Sequence, residues 1–202
     1  MAEMVEDESF QGLDWYDERL ENRAYLRCHF VRADLTEVTI LASTFQDCTF
    51  DHVDFNAASL RSSALINCRF IDCNFFNASF IGCKLVGSSF VNCALKPVHV
   101  SEGDWSFVRL ARANLGGARF ENVRMRECVL DEADLSGARL TGCDLYGASA
   151  DQTKFLRADL RGSALPNLTV DAAYLLDAMI TVQQAFFVAA LVGLDVRDES
   201  VG

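Results

Sequence analysis

The sequence has few of the features that mark membrane or secreted proteins. Its longest apolar run, residues 185–192, is much shorter than the roughly 20 residues that a helix needs to cross a bilayer. The N-terminus is acidic and lacks the basic and then apolar stretch of a secretory signal. We therefore expect a cytoplasmic protein without a membrane segment.

Catalytic and metal-binding motifs are also missing. The chain has no phosphate-binding glycine loop, no nucleophile elbow and no Cys-x-x-Cys pair, and its three histidines are more than 20 residues apart in the sequence. These absences predict a protein that is not an enzyme and that uses no cofactor and no metal. The eight cysteines share one column of the repeat with alanine and serine, which indicates small buried side chains rather than disulfides.

Basic residues are scarce at both ends of the chain. Residues 1–21 contain eight acidic residues and one basic residue, and residues 166–202 contain five acidic residues and one basic residue. The net charge of the whole chain is −11, so the middle is balanced. A negative net charge alone indicates only solubility. Whether the acidic residues have a further role depends on where they lie on the folded surface.

The dominant pattern is a period of five residues, which fits neither a helix nor a strand. Every residue whose number is a multiple of five is apolar from Phe10 to Ile180, and eleven of the fifteen phenylalanines lie in this register. A second column, two residues earlier, contains only small residues from Cys28 to Ser163. One large and one small inward residue in every five describe a narrow, filled tube, because a larger residue in the small column would overpack the core.

Segments such as RADLT at 32–36, ADLSG at 133–137 and RADLR at 157–161 resemble the A-(D/N)-L-x-x signature of the pentapeptide-repeat family. The resemblance implies an all-β solenoid, a right-handed quadrilateral β-helix of about eight coils in which residues 20 apart stack. We expect an irregularity at Lys96-Pro97, because proline has no N–H to donate to a ladder. The expected organisation is an acidic tail at 1–8, the β-helix at 9–170, a helical cap and dimerisation element at 171–194 and an acidic tail at 195–202.

The cap should contain a short helix at 171–178 and a second helix that begins with a capping box at Thr181–Gln184 and stops at Gly193. This second helix is apolar on all sides, although the last coil can cover only one of its faces. A second copy of the chain is the expected partner for the other face. A cap that packs wholly on its own coil remains the alternative. The expected dimer contacts are Leu175, Phe186, Phe187, Ala190 and Leu191.

The acidic N-terminus, the uninterrupted coils, the Leu95-Lys96-Pro97 segment and the final helix are similar to those of the fluoroquinolone-resistance members of the family, the mycobacterial one above all. The resemblance implies a head-on homodimer that mimics duplex DNA and binds DNA gyrase, without binding nucleic acid itself. It would inhibit gyrase and protect it from fluoroquinolones, with carboxylates in place of phosphates. The alternative is a general protein-interaction scaffold that uses a series of outward apolar residues: Ile66, Ile71, Phe76, Ile81, Val86 and Val91.

A DNA mimic needs acidic side chains along a rod. Stacking at an interval of 20 residues places Asp14, Asp34 and Asp54 in one column, where like charges repel and stability alone would disfavour them. Asp and Asn are also common at this position of the repeat, and Arg119 stacks with Arg139 on another face, which argues against a continuous acidic surface. The candidate partner-binding acids are Asp14, Asp17, Asp34, Glu37, Asp54, Asp51, Asp72, Asp131, Glu132, Asp134 and Asp151.

Overall fold

The computed structural model describes residues 3–165, 171–191 and 193–197. Nearly all of the regular structure is short parallel strands. In chain order the strands are Glu3–Glu6 (β1), Ser9–Gln11 (β2), Arg19–Glu21 (β3), Arg23–Leu26 (β4), His29–Val31 (β5), Thr39–Leu41 (β6), Thr44–Gln46 (β7), Thr49–Asp51 (β8), Ser59–Arg61 (β9), Ala64–Ile66 (β10), Arg69–Ile71 (β11), Ser79–Ile81 (β12), Ser89–Val91 (β13), His99–Ser101 (β14), Arg119–Glu121 (β15) and Arg139–Thr141 (β16).

Each coil of the chain crosses four faces. Face 1 contains β1, β4, β7 and β10, face 2 contains β2, β5, β8, β11 and β13, and face 4 contains β3, β6, β9, β12, β14, β15 and β16. Face 3 is held by single bridges, such as the one between Asp14 and Asp34. Phe10 lies opposite Phe30, which confirms the predicted interval of 20 residues and the β-solenoid.

The two inward columns fill the interior of the tube, as predicted. Phe30, Phe50 and Phe70 are fully buried, and their rings stack with centroids 4.8 and 4.9 Å apart. In the small column, the buried Ser88 hydroxyl donates to the carbonyl oxygen of Leu65 in the preceding coil at 2.7 Å. A polar group in the small column is therefore tolerated because a backbone acceptor satisfies it.

The β-helix begins earlier than predicted. The described part of the expected acidic tail at 1–8 includes β1, which pairs with β4 over four residues. Val5 packs against the core from this strand. The predicted start of the β-helix at residue 9 is therefore wrong. Val5 continues the inward column of the repeat, although acidic residues surround it in the sequence. The predicted end of the repeat at residue 170 lies outside the described residues.

The backbone hydrogen bonds between neighbouring coils are interrupted at the Lys96–Pro97 segment, where an irregularity was predicted. The peptide bond between these residues is cis. No backbone hydrogen bond joins residues 92–97 to residues 111–116, and both segments are described in full. The gap forms a cleft of about 430 Å³, here called the coil cleft, and Val91 and Cys93 are part of its lining.

The cap consists of a 3₁₀ helix at Ala172–Leu175, shorter than predicted, and a helix at Val182–Leu191 (α1). The predicted capping box is confirmed, since Gln184 N–H donates to Thr181 Oγ1 at 3.2 Å and Thr181 N–H donates to Gln184 Oε1 at 2.8 Å. Gly193, with φ of 75°, ends α1 as predicted. Among the described residues, no helix is both long and apolar enough to span a membrane.

Candidate functional site

Face 3 begins with a column of acidic residues. Parallel bridges join Asp14 to Asp34 and Asp34 to Asp54, and the column continues with Asn74. Neighbouring members therefore lie about 4.8 Å apart along the tube. Asp14 and Asp54 are exposed and Asp34 is half-buried. The column that the 20-residue interval predicts is thus present as a surface feature.

Asp17 and Glu37 extend this column sideways. Both are exposed at the corner after face 3, in left-handed backbone with φ of 56° and 59°. Their N–H groups donate to the carbonyl oxygens of Thr36 at 3.0 Å and Asn56 at 2.7 Å in the next coil. Because these backbone hydrogen bonds fix both corners, the two carboxylates lie along the same edge of face 3.

Glu18 is an exposed carboxylate near this column, and the repeat pattern did not identify it. Its position belongs to the small inward column. It is exposed because it precedes β3, the outermost strand of face 4, so that no coil covers it on that side. The signal that would have found it is the size of the residue: the small column starts only at Cys28. We call Asp14, Asp17, Glu18, Asp34, Glu37 and Asp54 the acidic ladder.

The acidic ladder has no basic partners within the described part of the chain. None of its six carboxylates forms an ion pair there. Bases of the same coils pair with other acids: Arg19 lies 3.1 Å from Glu21 and Arg27 lies 2.7 Å from Asp7. The negative charge of the acidic ladder is therefore not neutralised by the protein itself.

Two members of the ladder also have a local structural role. Tyr16 N–H donates to Asp14 Oδ1 at 3.0 Å, and Thr36 N–H donates to Asp34 Oδ1 at 2.9 Å. Such bonds are the reason that aspartate and asparagine favour turns. Asparagine can accept the same hydrogen bond, as Asn74 does from Phe76 N–H at 3.1 Å. The turn explains the residue type at these positions, but it does not require a charge.

Six of the eleven predicted acids lie elsewhere. Asp51 and Asp72 are on face 2 and its following corner, close to His52. His52 Nδ1 is 2.7 Å from Asp51 Oδ1, and the possible ligand atoms of the three residues lie within 4.8 Å of one another. These three residues, of which His52 and Asp72 are exposed, are close enough to hold a divalent cation. Asp72 belongs to the coil after that of Asp51 and His52, so the three residues are not adjacent in the sequence.

The remaining four predicted acids are partly engaged with other groups. Arg112 forms two hydrogen bonds of 3.0 Å to Glu132 and thereby lowers the pKa of that carboxyl. Asp151 N–H donates to Asp131 Oδ1 at 3.0 Å. Asp134 is on face 3, beside Lys154, and a hydrogen bond from Ser136 lowers its pKa. The eleven acids therefore do not form one surface, and five of them lie together on the first three coils.

The cap divides the five predicted dimer residues into two groups. Leu175, Phe187 and Leu191 pack against the core of their own chain. Phe186, with 57% of its surface exposed, and Ala190 face away from it. The difference arises because one face of α1 covers the last coil, and the apolar run of the helix could not reveal which residues belong to that face.

The outer side of the cap carries an open apolar groove of about 230 Å³. It is lined by Val182, Ala185, Phe186, Ala189 and Val196. Val182 is 84% exposed, an unusual position for a large apolar side chain. The helical spacing of 182, 185, 186 and 189 is the signal that would have separated this outer stripe from the inner one.

Comparisons with known proteins agree with this architecture. The family model described as a pentapeptide repeat region matches residues 43–120 and 73–149, which together span more than half of the chain. The chain belongs to the pentapeptide-repeat family. No curated protein matches the chain in sequence.

Two solved structures of QnrB1, described as a plasmid-mediated fluoroquinolone resistance protein, are similar to this pentapeptide-repeat chain. A trypsin-treated variant is 19% identical with a TM-score of 0.60, and the alignment covers 97% of this chain and 98% of QnrB1. The full-length form is 18% identical with a TM-score of 0.54, over 95% and 100% of the two chains. At this identity the likeness demonstrates the shared fold.

The outward apolar residues of this pentapeptide-repeat protein do not form a single patch. Ile71 lies opposite Val91 on face 2, whereas Phe76 is on face 3 and Ile81 is in β12 on face 4. Phe76 and Val91 are exposed and the others are half-buried, so most of the series packs along the walls. Arg119 and Arg139 stack on face 4, as predicted.

Gln184 attaches the cap to the last coil of the repeat. Its Nε2 donates to the carbonyl oxygens of Leu160 at 2.7 Å and Ser163 at 2.8 Å, in addition to its role in the capping box. Replacing Gln184 with alanine should destabilise the cap by about 1–3 kcal/mol, because these acceptors lose their donor. Hydrogen exchange of α1 measures the loss. Gln183→Ala, at the exposed neighbour, is the control and should leave exchange unchanged; equal exchange in both variants would contradict the anchoring role.

Proposed function

We propose that this protein is a cytoplasmic, homodimeric DNA mimic that binds DNA gyrase. By occupying the surface that receives DNA, it inhibits the enzyme and protects it from fluoroquinolone-stabilised breaks. The acidic ladder on face 3 is the observation that supports this proposal most directly. Its carboxylates take the place of backbone phosphates.

The charge density of the acidic ladder supports the proposal. Three consecutive coils span about 10 Å along the tube, given a strand spacing of about 4.8 Å. Duplex DNA has one negative charge per roughly 1.7 Å of its axis, or about six over the same length. The acidic ladder presents six carboxylates on those coils. Over this stretch the protein and DNA thus offer a basic partner a similar number of negative charges.

The family likeness points in the same direction. The fold extends over nearly the full length of QnrB1, which is described as a fluoroquinolone resistance protein. The identification of gyrase as the partner rests on the resemblance of the sequence to the resistance members of the family. The uninterrupted coils and the acidic N-terminal half are the features of this chain that are compatible with a rod-shaped mimic.

Dimerisation would extend the mimic. The apolar outer groove of α1 lies at one end of the tube, and the acidic ladder lies at the other end. A twofold contact through the groove would place one acidic ladder at each end of a longer rod. In this arrangement the partner would meet negative charge at two distant places, as it does along a DNA segment.

The scaffold alternative receives less support from the structure. Its outward apolar residues are distributed over all four faces, so they offer no continuous docking surface. The two functions differ in their salt dependence. Binding through the acidic ladder should weaken steeply as ionic strength rises, whereas apolar docking should not.

Neutralising the acidic ladder tests the proposed function. The double variant Asp34→Asn and Asp54→Asn should weaken inhibition of gyrase supercoiling about tenfold, because two phosphate-like charges are lost while the turn acceptor at residue 34 is kept. The measurement is the protein concentration that halves supercoiling. Fluoroquinolone-induced cleaved complexes, counted in parallel, should recover as inhibition is lost.

The matched control removes the same net charge from other surfaces. Glu102 and Glu127 are exposed, lie at corners of later coils and form no ion pair among the described residues. The double variant Glu102→Gln and Glu127→Gln should inhibit like the unmodified protein. Equal weakening in both double variants would show that only overall charge matters, and unchanged inhibition in the first would exclude the acidic ladder as the contact.

A further inference from the structure

Cys93 differs from the other cysteines in its access to solvent. It is half-buried, whereas the other seven cysteines are buried, and all eight are free thiols. Cys93 lines the coil cleft, which exists because residues 92–97 have no backbone hydrogen bonds to residues 111–116. A small solute can therefore approach Cys93 from outside, while the other seven cysteines stay enclosed.

Cys73 lies directly beside Cys93 in the preceding coil. The ladder pairs on both sides of them are in register, Ile71 with Val91 and Asn74 with Ala94. Their Cα atoms are therefore separated by about 4.8 Å, which is within the usual range of roughly 4.4–6.8 Å for a disulfide. Their Cβ atoms would have to approach by about 1 Å to reach the usual disulfide separation of about 3.8 Å.

The coil cleft provides the freedom for this approach. The segment with Cys93 is hydrogen-bonded to the preceding coil, but residues 92–97 have no backbone hydrogen bond to residues 111–116 of the following coil. Cys48 and Cys68 form a stacked pair of the same kind without this freedom. Ser89 N–H donates to the carbonyl oxygen of Cys68 at 2.9 Å, so both neighbours of that strand hold it in place. Both thiols of this second pair are buried.

We propose that Cys73 and Cys93 are a redox-active dithiol that a hydroperoxide oxidises to a disulfide. Cys93 reacts first because it is accessible from the coil cleft, and Cys73 then resolves the oxidised sulfur. The Cys48–Cys68 pair, which is stacked alike but enclosed, stays reduced. The site is separate from the acidic ladder and from the outer groove of α1.

Each step of the proposed reaction is balanced. The Cys93 thiolate attacks hydrogen peroxide, an S–O bond forms, the O–O bond breaks, and the departing hydroxide takes up the proton that the thiol released. The Cys73 thiol then attacks the Cys93 sulfur, an S–S bond forms, the S–O bond breaks and water leaves with the Cys73 proton. The protein loses two electrons and peroxide gains two. A hydrogen bond from the Cys73 thiol lowers the pKa of Cys93, which favours the thiolate needed for the first step.

The test is peroxide oxidation of the full-length protein followed by alkylation and mass spectrometry of each cysteine. We expect a Cys73–Cys93 disulfide, formed at least about tenfold faster than any modification of Cys48 or Cys68, because susceptibility follows exposure and only Cys93 is half-buried. Oxidation of Cys48 or Cys68 at a similar rate would overturn the proposal. So would a Cys93 that remains a free thiol while other cysteines react.

Two variants separate the roles of the thiols. Cys73→Ser should accumulate a sulfenic acid at Cys93 that dimedone traps, and Cys93→Ser should leave Cys73 reduced. Serine already occupies the small column at Ser43, Ser63 and Ser88, so both variants should fold, and circular dichroism verifies it. Trapping at Cys73 in the second variant, or Cys93 passing directly to sulfinic acid in the unmodified protein with Cys73 still reduced, would overturn the proposed order.

Discussion

Replacing Gly103 with alanine should cost the β-helix about 3 kcal/mol or more of unfolding free energy. Gly103 occupies the small inward column with φ of 90°, a backbone conformation that other residues rarely adopt. A Cβ atom there would lie 2.1 Å from the carbonyl oxygen of Cys83 and 2.8 Å from its nitrogen. Since the obstacle is backbone, and the adjacent coil is held by its own ladder, neither side can move away cheaply.

The measurement is the denaturant midpoint of the variant compared with that of Gly137→Ala. Gly137 also has positive φ, 65°, but a Cβ atom there would meet nothing within 4 Å. Its replacement should cost about 1 kcal/mol or less, because arginine and glutamate occupy equivalent corners at Arg157 and Glu132. Equal losses in the two variants would show that the left-handed backbone, and not the close approach to Cys83, determines the requirement for glycine.

The cost at Gly103 could not be predicted from the sequence, although the position itself could. The period of five residues identifies 103 as inward and small, where alanine is common at other coils such as Ala78 and Ala118. Only the backbone of the neighbouring coil reveals that this coil leaves no room for a methyl group. The pattern thus predicts whether a side chain points inward and whether it is large or small. Whether a position accepts a larger side chain depends on the local backbone geometry.

The acidic ladder was largely predictable for the same reason. In a parallel β-helix one number, the interval between stacked residues, assigns every residue of the repeat to a face. Asp14, Asp34 and Asp54 follow from that interval alone. Glu18 does not, because its exposure depends on the end of the tube, where the inward column has no neighbour to cover it. Repeats predict the middle of a solenoid better than its ends.

The cap shows the same limit. The apolar run in α1, from residue 185 onward, predicted that the helix needs two contacts: the last coil for one face and a partner for the other. It could not say which residue belongs to which face, because the rotation of α1 on the coil is set by contacts outside the repeat. Gln184 fixes that rotation through two carbonyl oxygens of the last coil. Phe187 consequently turns inward and Phe186 turns outward.

Replacing Phe186 with aspartate should convert the proposed dimer to monomers. In the monomer the side chain is more than half exposed, so the change costs the fold little. In a twofold contact the same change places two carboxylates in one apolar interface, since both copies carry it. An unpaired buried charge costs about 3–5 kcal/mol, which weakens association by roughly 10²–10⁴-fold for each carboxylate. Light scattering across a concentration series measures the effect.

The matched control is Phe76→Asp, on face 3 of the tube. Phe76 is 56% exposed and Phe186 is 57% exposed, so the two changes are alike in residue type and accessibility. The control should remain dimeric. Phe187→Asp is not an equivalent test, because Phe187 packs against the core of its own chain and its loss would loosen the cap itself.

The outcomes for Phe186→Asp also bear on the mimic. A monomeric variant that still folds would retain one acidic ladder, and it should inhibit gyrase less strongly if the partner engages both ends of the rod. A variant that stays dimeric would place the twofold contact elsewhere and leave the outer groove of α1 without a partner. A monomeric unmodified protein would remove dimerisation from the proposed function, whereas the acidic ladder would still be tested separately by Asp34→Asn and Asp54→Asn.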